Sequence, residues 1–175
     1  MRRLATARRI RAFLAALGRE ATQPATVYLN GGATAVLHGW RESTIDVDLK
    51  LVPDHDELLR AIAHLKDDLE INVELASPDL FIPVGRGWEG ASPYDSTEGP
   101  LTIRHFDLVA QALAKISRGH ERDISDVDAM FERGLVDPEA VRRRFDEIEA
   151  ELYRFPALDA SSFRAAMERA VARPN

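Results

Sequence analysis

Leu4, Ala7, Ile10, Phe13, Leu14 and Leu17 recur at the three- and four-residue spacing of one helical face. They predict a helix from about Arg3 to Leu17, with Gly18 as its stop. The period then changes. Ala25 to Leu29 is a short β-rich run that breaks at Asn30-Gly31-Gly32, and Ala33 to Leu37 reads as a brief helix closed by Gly39. From Ile45 to Val52 the alternation is that of a strand, with Ile45, Val47, Leu49 and Leu51 on one face and Asp46, Asp48 and Lys50 on the other. Pro53 and Asp54 start a predicted helix with the stripe Leu58, Leu59, Ile62 and Leu65. A second alternating strand, Leu69 to Leu75, sets Ile71, Val73 and Leu75 opposite Glu70, Asn72 and Glu74.

Between Ser77 and Pro100 four prolines and four glycines break the pattern, which predicts an irregular surface segment lying over a site. Leu101 to Ile103 reads as a short strand. Helices follow over about Asp107 to Ser117, Ile124 to Glu132, Pro138 to Leu152 and Ala160 to Val171. The chain thus divides near Phe106 into an α/β half, residues 1–105, and a helical half, residues 106–175, with no linker between them. The expected fold class is α/β, a small mixed sheet with flanking helices followed by a helical C-terminal part packed on it.

Composition narrows the chemistry more than the fold. The 175 residues contain no cysteine, which excludes thiol catalysis and thiolate metal sites and fits a reducing compartment. No apolar run approaches the ~20 residues that cross a bilayer, and Arg8, Arg9, Arg11 and Arg19 interrupt any leader-like core. The expectation is a cytoplasmic protein with no membrane partner. A net charge of −6 argues against a surface that coats nucleic acid. Arg2, Arg3, Arg8, Arg9 and Arg11, with no acid before Glu20, form either a local phosphate-binding patch or a solvated helix face. His38, His55, His64, His105 and His120 are scattered without metal-ligand spacing, which predicts surface or packing roles. Trp88 and Tyr94, in the irregular segment, either stack on a base or anchor the loop.

Two features carry the candidate chemistry. Gly31 and Gly32 end a strand and open a helix, where the backbone comes close to a ligand and helix-terminal N–H groups favour a phosphate. Asp46 and Asp48, two apart on a strand, project from the same face. Paired carboxylates repel, and a divalent ion resolves that repulsion, Mg²⁺ taking one or two carboxylates beside substrate phosphates. A third acid from the neighbouring strand is expected if two metals are held. Glu74 is central in that strand and Glu70 lies at its start, so Glu74 is preferred with Glu70 as the alternative.

Thirteen residues (46 − 32 − 1) separate Gly32 from Asp46, and the passage from Leu29 to Leu49 resembles the DNA polymerase β-type nucleotidyltransferase superfamily. Its signature is a Gly-Gly or Gly-Ser pair, a short helix, then Asp-x-Asp/Glu on a strand. The resemblance implies a minimal nucleotidyltransferase fold, a triphosphate held at Gly31 and Gly32, and Mg²⁺ or Mn²⁺ held by Asp46, Asp48 and Glu74. Arg41, Ser43 and Thr44, between the two features, would touch phosphate or pin the loop. Phe106 to Val127, with Ala114-Lys115-Ile116 and Arg122-Asp123-Ile124-Ser125-Asp126, is similar to the lysine and Arg-Asp-x-x-Asp helices of AbiEii/MenT-type bacterial nucleotidyltransferases. An uncharacterised branch of that group shares Ser77-Pro78 and Phe81-Ile82-Pro83. Carried over, Lys115 contacts nucleotide phosphates and Asp123 supports activity, while Arg122 and Asp126 read as a structural salt bridge joining helices.

The activity implied is transfer of a nucleoside monophosphate from a nucleoside triphosphate to an acceptor hydroxyl. The acceptor is tRNA, as in the toxin–antitoxin relatives, or a small molecule or protein hydroxyl, and a cognate antitoxin protein is an implied partner. The alternative is a nucleotide-binding, non-catalytic antitoxin-like or regulatory module.

Overall fold

The computed structural model describes residues 3–173, so Arg2 of the basic N-terminal run lies outside the described residues. The chain forms two compact units: the segment up to Ser77 together with Ser92–Phe106, and Pro78–Ala91 together with the chain from Asp107 onward. The whole is mixed α/β, with eight α-helices, a five-stranded mixed sheet and a two-stranded sheet among the described residues. None of those helices is long and apolar enough to cross a membrane.

The first unit holds every strand. In chain order its elements are β1 (Ala5–Thr6), α1 (Ala7–Glu20), β2 (Ala25–Asn30), α2 (Gly31–Leu37), β3 (Ser43–Thr44), β4 (Asp46–Val52), α3 (Asp56–Asp68) and β5 (Asn72–Leu75). After the excursion into the second unit come β6 (Tyr94–Glu98) and β7 (Leu101–His105). The large sheet runs β5-β4-β2-β7-β6; β4–β5 and β2–β7 are parallel, β2–β4 and β6–β7 antiparallel. One sheet face carries Val27, Leu29, Val47, Leu49, Val73 and Ile103, all buried in one core with Ile10, Phe13, Leu14 and Leu17 of α1 and Leu58, Ile62 and Leu65 of α3. Fully burying one such side chain contributes roughly 1.5–3 kcal/mol. That burial fixes the register of β4, because a slip by one residue would drive Asp46 and Asp48 into the core.

Several sequence expectations change here. α1 runs through Gly18 to Glu20. Gly18 does not stop the helix; a Cβ there would meet the Glu98 carbonyl oxygen at 2.5 Å, so the residue is small because β6 passes against it. Ile45 lies outside β4 and is 59% exposed, so it does not share the buried face of Val47 and Leu49. α3 begins at Asp56, later than Pro53 and Asp54 suggest. β5 starts only at Asn72, because Glu70 takes a left-handed backbone (φ +49°) in the turn after α3. Tyr94–Glu98, expected to be irregular, is edge strand β6.

The second unit comprises a 3₁₀ turn (Pro78–Leu80), α4 (Trp88–Ala91), α5 (Leu108–Arg118), α6 (Glu121–Glu132), α7 (Pro138–Ile148), a 3₁₀ segment (Glu149–Arg154) and α8 (Ala160–Val171). The predicted helix from Pro138 to Leu152 therefore tightens to 3₁₀ over its last turn. Caps written in the sequence set the ends. Asp107 accepts from the Val109 N–H at 3.0 Å, Asp137 precedes Pro138 and accepts from Glu139 at 3.0 Å, and Asp159 accepts from Ser162 at 2.8 Å. Gly119 (φ +69°) ends α5 in the left-handed conformation. Arg144 of α7 bonds the buried Asp107 carboxylate at 2.5 Å and the Val84 carbonyl at 2.7 Å, which ties residues 78–91 to this unit.

Candidate functional site

On β4 the alternation leaves Asp46, Asp48 and Lys50 half-buried on the face opposite Val47, Leu49 and Leu51. β5 lies alongside in parallel register, Asp46 opposite Asn72 and Asp48 opposite Glu74. On the other side Asn30, the last residue of β2, stands opposite Asp48. Asn30, Asp48 and Glu74 thus form one row across three strands, with Asp46 and Asn72 in the next row. The Asn72 amide donates to the Asp46 carboxylate and, at 3.3 Å, to Glu74, spacing the two acids apart. The Asn30 amide donates to the Ala76 carbonyl at 2.6 Å and fastens the end of β5 across the row.

Gly31 and Gly32 are the first residues of α2. Gly31 sits at φ +58°, and a Cβ there would lie 2.6 Å from the Asp48 Oδ2 atom. Backbone thus approaches a carboxylate where no side chain fits. Gly32 packs on Thr44; a Cβ on it would stand 2.0 Å from the Thr44 hydroxyl oxygen. Gly32→Ala is expected to displace buried Thr44 and cost about 1–3 kcal/mol, read as a fall in the urea midpoint. An unchanged midpoint would mean that the two residues do not pack. Ser43 and Thr44 form β3, paired with Ala5–Thr6, a small sheet with no signal in the sequence pattern. Arg41 lies in the loop before β3 and donates its backbone N–H to the Ala35 carbonyl at 3.3 Å.

The acids and the glycines therefore meet at one end of the sheet, where β2 finishes and β4 begins. Of the two alternatives for a third acid, Glu74 is in register with Asp48, whereas Glu70 pairs with Arg3 at 3.1 Å outside the strand. The donor set is hard carboxylate oxygen, which suits Mg²⁺ or Mn²⁺. Among the described residues no three His, Asp or Glu side chains are gathered into a ready-made cation cluster. A cation shared with phosphates needs only one or two protein carboxylates, so Asp46 and Asp48 fit it.

Lys115 and Asp123 belong to the second unit. Lys115 is only 4% exposed and donates to Asp126 at 2.6 Å, with Asp123 at 3.6 Å. Arg118 closes the cluster on Asp123 at 2.7 Å. The salt bridge that joins α5 to α6 is therefore made by Lys115 and Arg118, while Arg122 is exposed. The helical phase explains it: 115 and 118 share a face of α5, as do 123 and 126 on α6. Trp88 is part-exposed on α4 and Tyr94 is 59% exposed on β6.

A polar network absent from the sequence reading lies in the first unit. Register slips by one residue between Tyr94 and Ser96, and this bulge frees Asp95 from the ladder. Its side chain is 9% exposed and accepts from Arg11 at 2.9 Å, from Ser96 at 2.7 Å and from the His105 Nε2 at 3.3 Å. The His105 Nδ1 faces the Thr34 hydroxyl at 3.0 Å, and the His105 ring stands 4.4 Å from that of His38. Burial alone would raise the Asp95 pKa, but the bonds from His105, Arg11 and Ser96 outweigh it and hold the carboxyl well below the usual carboxylate range. A depressed folded-state pKa gives stability that is complete above the unfolded value of about 3.9 and lost as pH falls through the folded one. Asp95→Asn is therefore expected to cost about 1–3 kcal/mol at pH 7. That gap from the wild type should shrink below about pH 4, as followed by urea denaturation across pH. A gap independent of acid would refute the pairing. Sequence offered no clue to Asp95, because only a bulge turns it inward. The chain matches no protein-family model, no curated protein and no solved structure.

Proposed function

We propose that the chain is a Mg²⁺-dependent nucleotidyltransferase, moving a nucleoside monophosphate from a nucleoside triphosphate to an acceptor hydroxyl. One observation carries the reading: Asp46 and Asp48 share a strand face, Glu74 stands in register with Asp48, and the Gly31 backbone abuts the Asp48 carboxylate. The spacing of these residues in the sequence, Gly-Gly then Asp-x-Asp after a short helix, supports the same reading independently.

Asp46 and Asp48 would hold the cation, with Glu74 beside them. When bound, it would neutralise phosphate charge and lower the pKa of a ligated hydroxyl. Gly31 and Gly32 let the backbone at the start of α2 pack against Asp48 and Thr44, and that backbone would line the triphosphate beside the acids. Asn72 orients Asp46 through its amide. In the transfer the acceptor oxygen bonds to the α-phosphorus as the α–β bridging P–O bond breaks. Pyrophosphate leaves with that electron pair, and the acceptor proton passes to a neighbouring carboxylate and on to water.

The test is incubation of the purified protein with Mg²⁺, each α-labelled nucleoside triphosphate and total tRNA, beside a control without tRNA. Label on tRNA is the expected result and names the base. Label on the protein points to a protein hydroxyl as acceptor. Mg²⁺-dependent nucleotide binding without transfer to either favours a non-catalytic module, and no binding at all removes the site.

A further inference from the structure

The first unit carries an open recess of about 310 Å³ lined by Arg3, Leu4, Ile45 and Asn72. Its two apolar walls are conspicuous, since Leu4 is 56% and Ile45 59% exposed although both are large aliphatic residues. Sequence periodicity assigns both to buried faces, and the fold leaves both open. Arg3 brings a positive charge. Its Nε engages Glu70 at 3.1 Å, and the guanidinium has further N–H donors on its two terminal nitrogens. Asn72 is the fourth wall, and its amide donates to Asp46, so one side chain separates the recess from that carboxylate.

Position decides what such a recess would hold. Gly31 abuts Asp48 from the β2 side, whereas Asn72 meets Asp46 from the β5 side. The glycines and the recess therefore flank the carboxylates from opposite sides. In-line transfer places the attacking oxygen and the departing pyrophosphate on opposite sides of the α-phosphorus. A triphosphate seated at the glycines directs its leaving group to the β2 side and the entering hydroxyl to the β5 side.

We infer that the Arg3–Leu4–Ile45–Asn72 recess is the acceptor subsite, shaped for a hydroxyl compound with a flat apolar face and a nearby anionic group. The inference rests on the transferase reading. The apolar face lies between Leu4 and Ile45, the anion meets Arg3, and the hydroxyl reaches past Asn72 toward Asp46. Its oxygen takes the nucleotidyl group as pyrophosphate leaves, and its proton goes to water.

Phenyl phosphate, an aromatic ring bearing a dianion, is a suitable probe. With the full chain labelled at leucine and isoleucine methyls and at backbone amides, it is titrated by NMR in Mg²⁺. The titration is run with and without an α,β-methylene nucleoside triphosphate. The expected result is saturable shifts of the Leu4 and Ile45 methyls that persist when the nucleotide analogue has shifted the Gly31 amide. Ile45→Ala, at an exposed position that leaves the core intact, is expected to weaken phenyl phosphate about tenfold through lost apolar contact. Arg3→Gln is expected to weaken it similarly, while the analogue binds as before. Three outcomes overturn the assignment. If the analogue shifts Gly31 but phenyl phosphate leaves Leu4 and Ile45 unmoved, the recess is not a subsite and the transferase reading stands. If the analogue itself moves Leu4 and Ile45 and displaces phenyl phosphate, the recess holds the donor's base. If the analogue fails to bind at all, the acceptor role falls together with the reading beneath it.

Discussion

Asp46→Ala is expected to lower nucleotidyl transfer by at least about 10³-fold, some 4 kcal/mol of lost transition-state stabilisation, while the fold survives. Both parts follow from position. Asp46 is half-buried on the polar face of β4, its neighbour Val47 supplies the core contact, and nothing apolar depends on its side chain. Removing one of two adjacent carboxylates also relieves repulsion, so the thermal midpoint should hold or rise. Catalysis, by contrast, has few substitutes for it, because Asp48 and Glu74 stand one row away. The measurement pairs label transfer with thermal unfolding of the same sample. Undiminished transfer sinks the proposed site, and an unfolded variant makes Asp46 a structural residue.

The second large effect concerns stability. Lys115→Met should destabilise the helical unit by about 3–5 kcal/mol, because it removes the ammonium that faces the buried Asp126 at 2.6 Å, while Asp123 keeps Arg118. That is a large fraction of a typical total of roughly 5–15 kcal/mol. Adding Asp126→Leu should recover most of the loss, since apolar residues of similar volume replace buried ion pairs at little net cost. The double variant then separates two roles. If it folds and binds nucleotide with wild-type affinity, Lys115 is a clamp between α5 and α6 and the phosphate contact implied by resemblance is wrong. If it folds but loses affinity at least about tenfold, equivalent to 1.4 kcal/mol, the lysine also serves the ligand. A single variant as stable as the wild type would contradict the buried cluster.

How much of this was legible beforehand depends on the range of the interactions. The polar face of β4 was readable because side chains alternate with period two, so Asp46-Val47-Asp48 declares its own geometry. The helix starts at Pro138 and Ala160 were readable from the helical period, and Asp137 and Asp159 cap them within a few residues. The register of β5 was not. Position within the predicted strand already favoured Glu74 over Glu70, but its pairing with Asp48, and the left-handed turn at Glu70 that starts β5 at Asn72, needed the folded chain. Lys115 was singled out by resemblance alone, yet its burial depends on α6 presenting two aspartates to it, which the spacing within one helix does not encode.

Local pattern therefore determined the α/β class, the longer helices, the strands β2, β4, β5 and β7 in outline, and the same-face carboxylates beside a glycine pair. Each rests on backbone periodicity or on hydrogen bonds between near neighbours. Tertiary structure alone decided which residues far apart in the chain became neighbours. It put Asn72 against Asp46, turned Asp95 inward at a bulge to meet Arg11 and His105, left Leu4 and Ile45 open, and drew residues 78–91 to Arg144. These pairings are set by packing and by the need to satisfy buried polar groups, conditions that exist only once the chain has closed on itself.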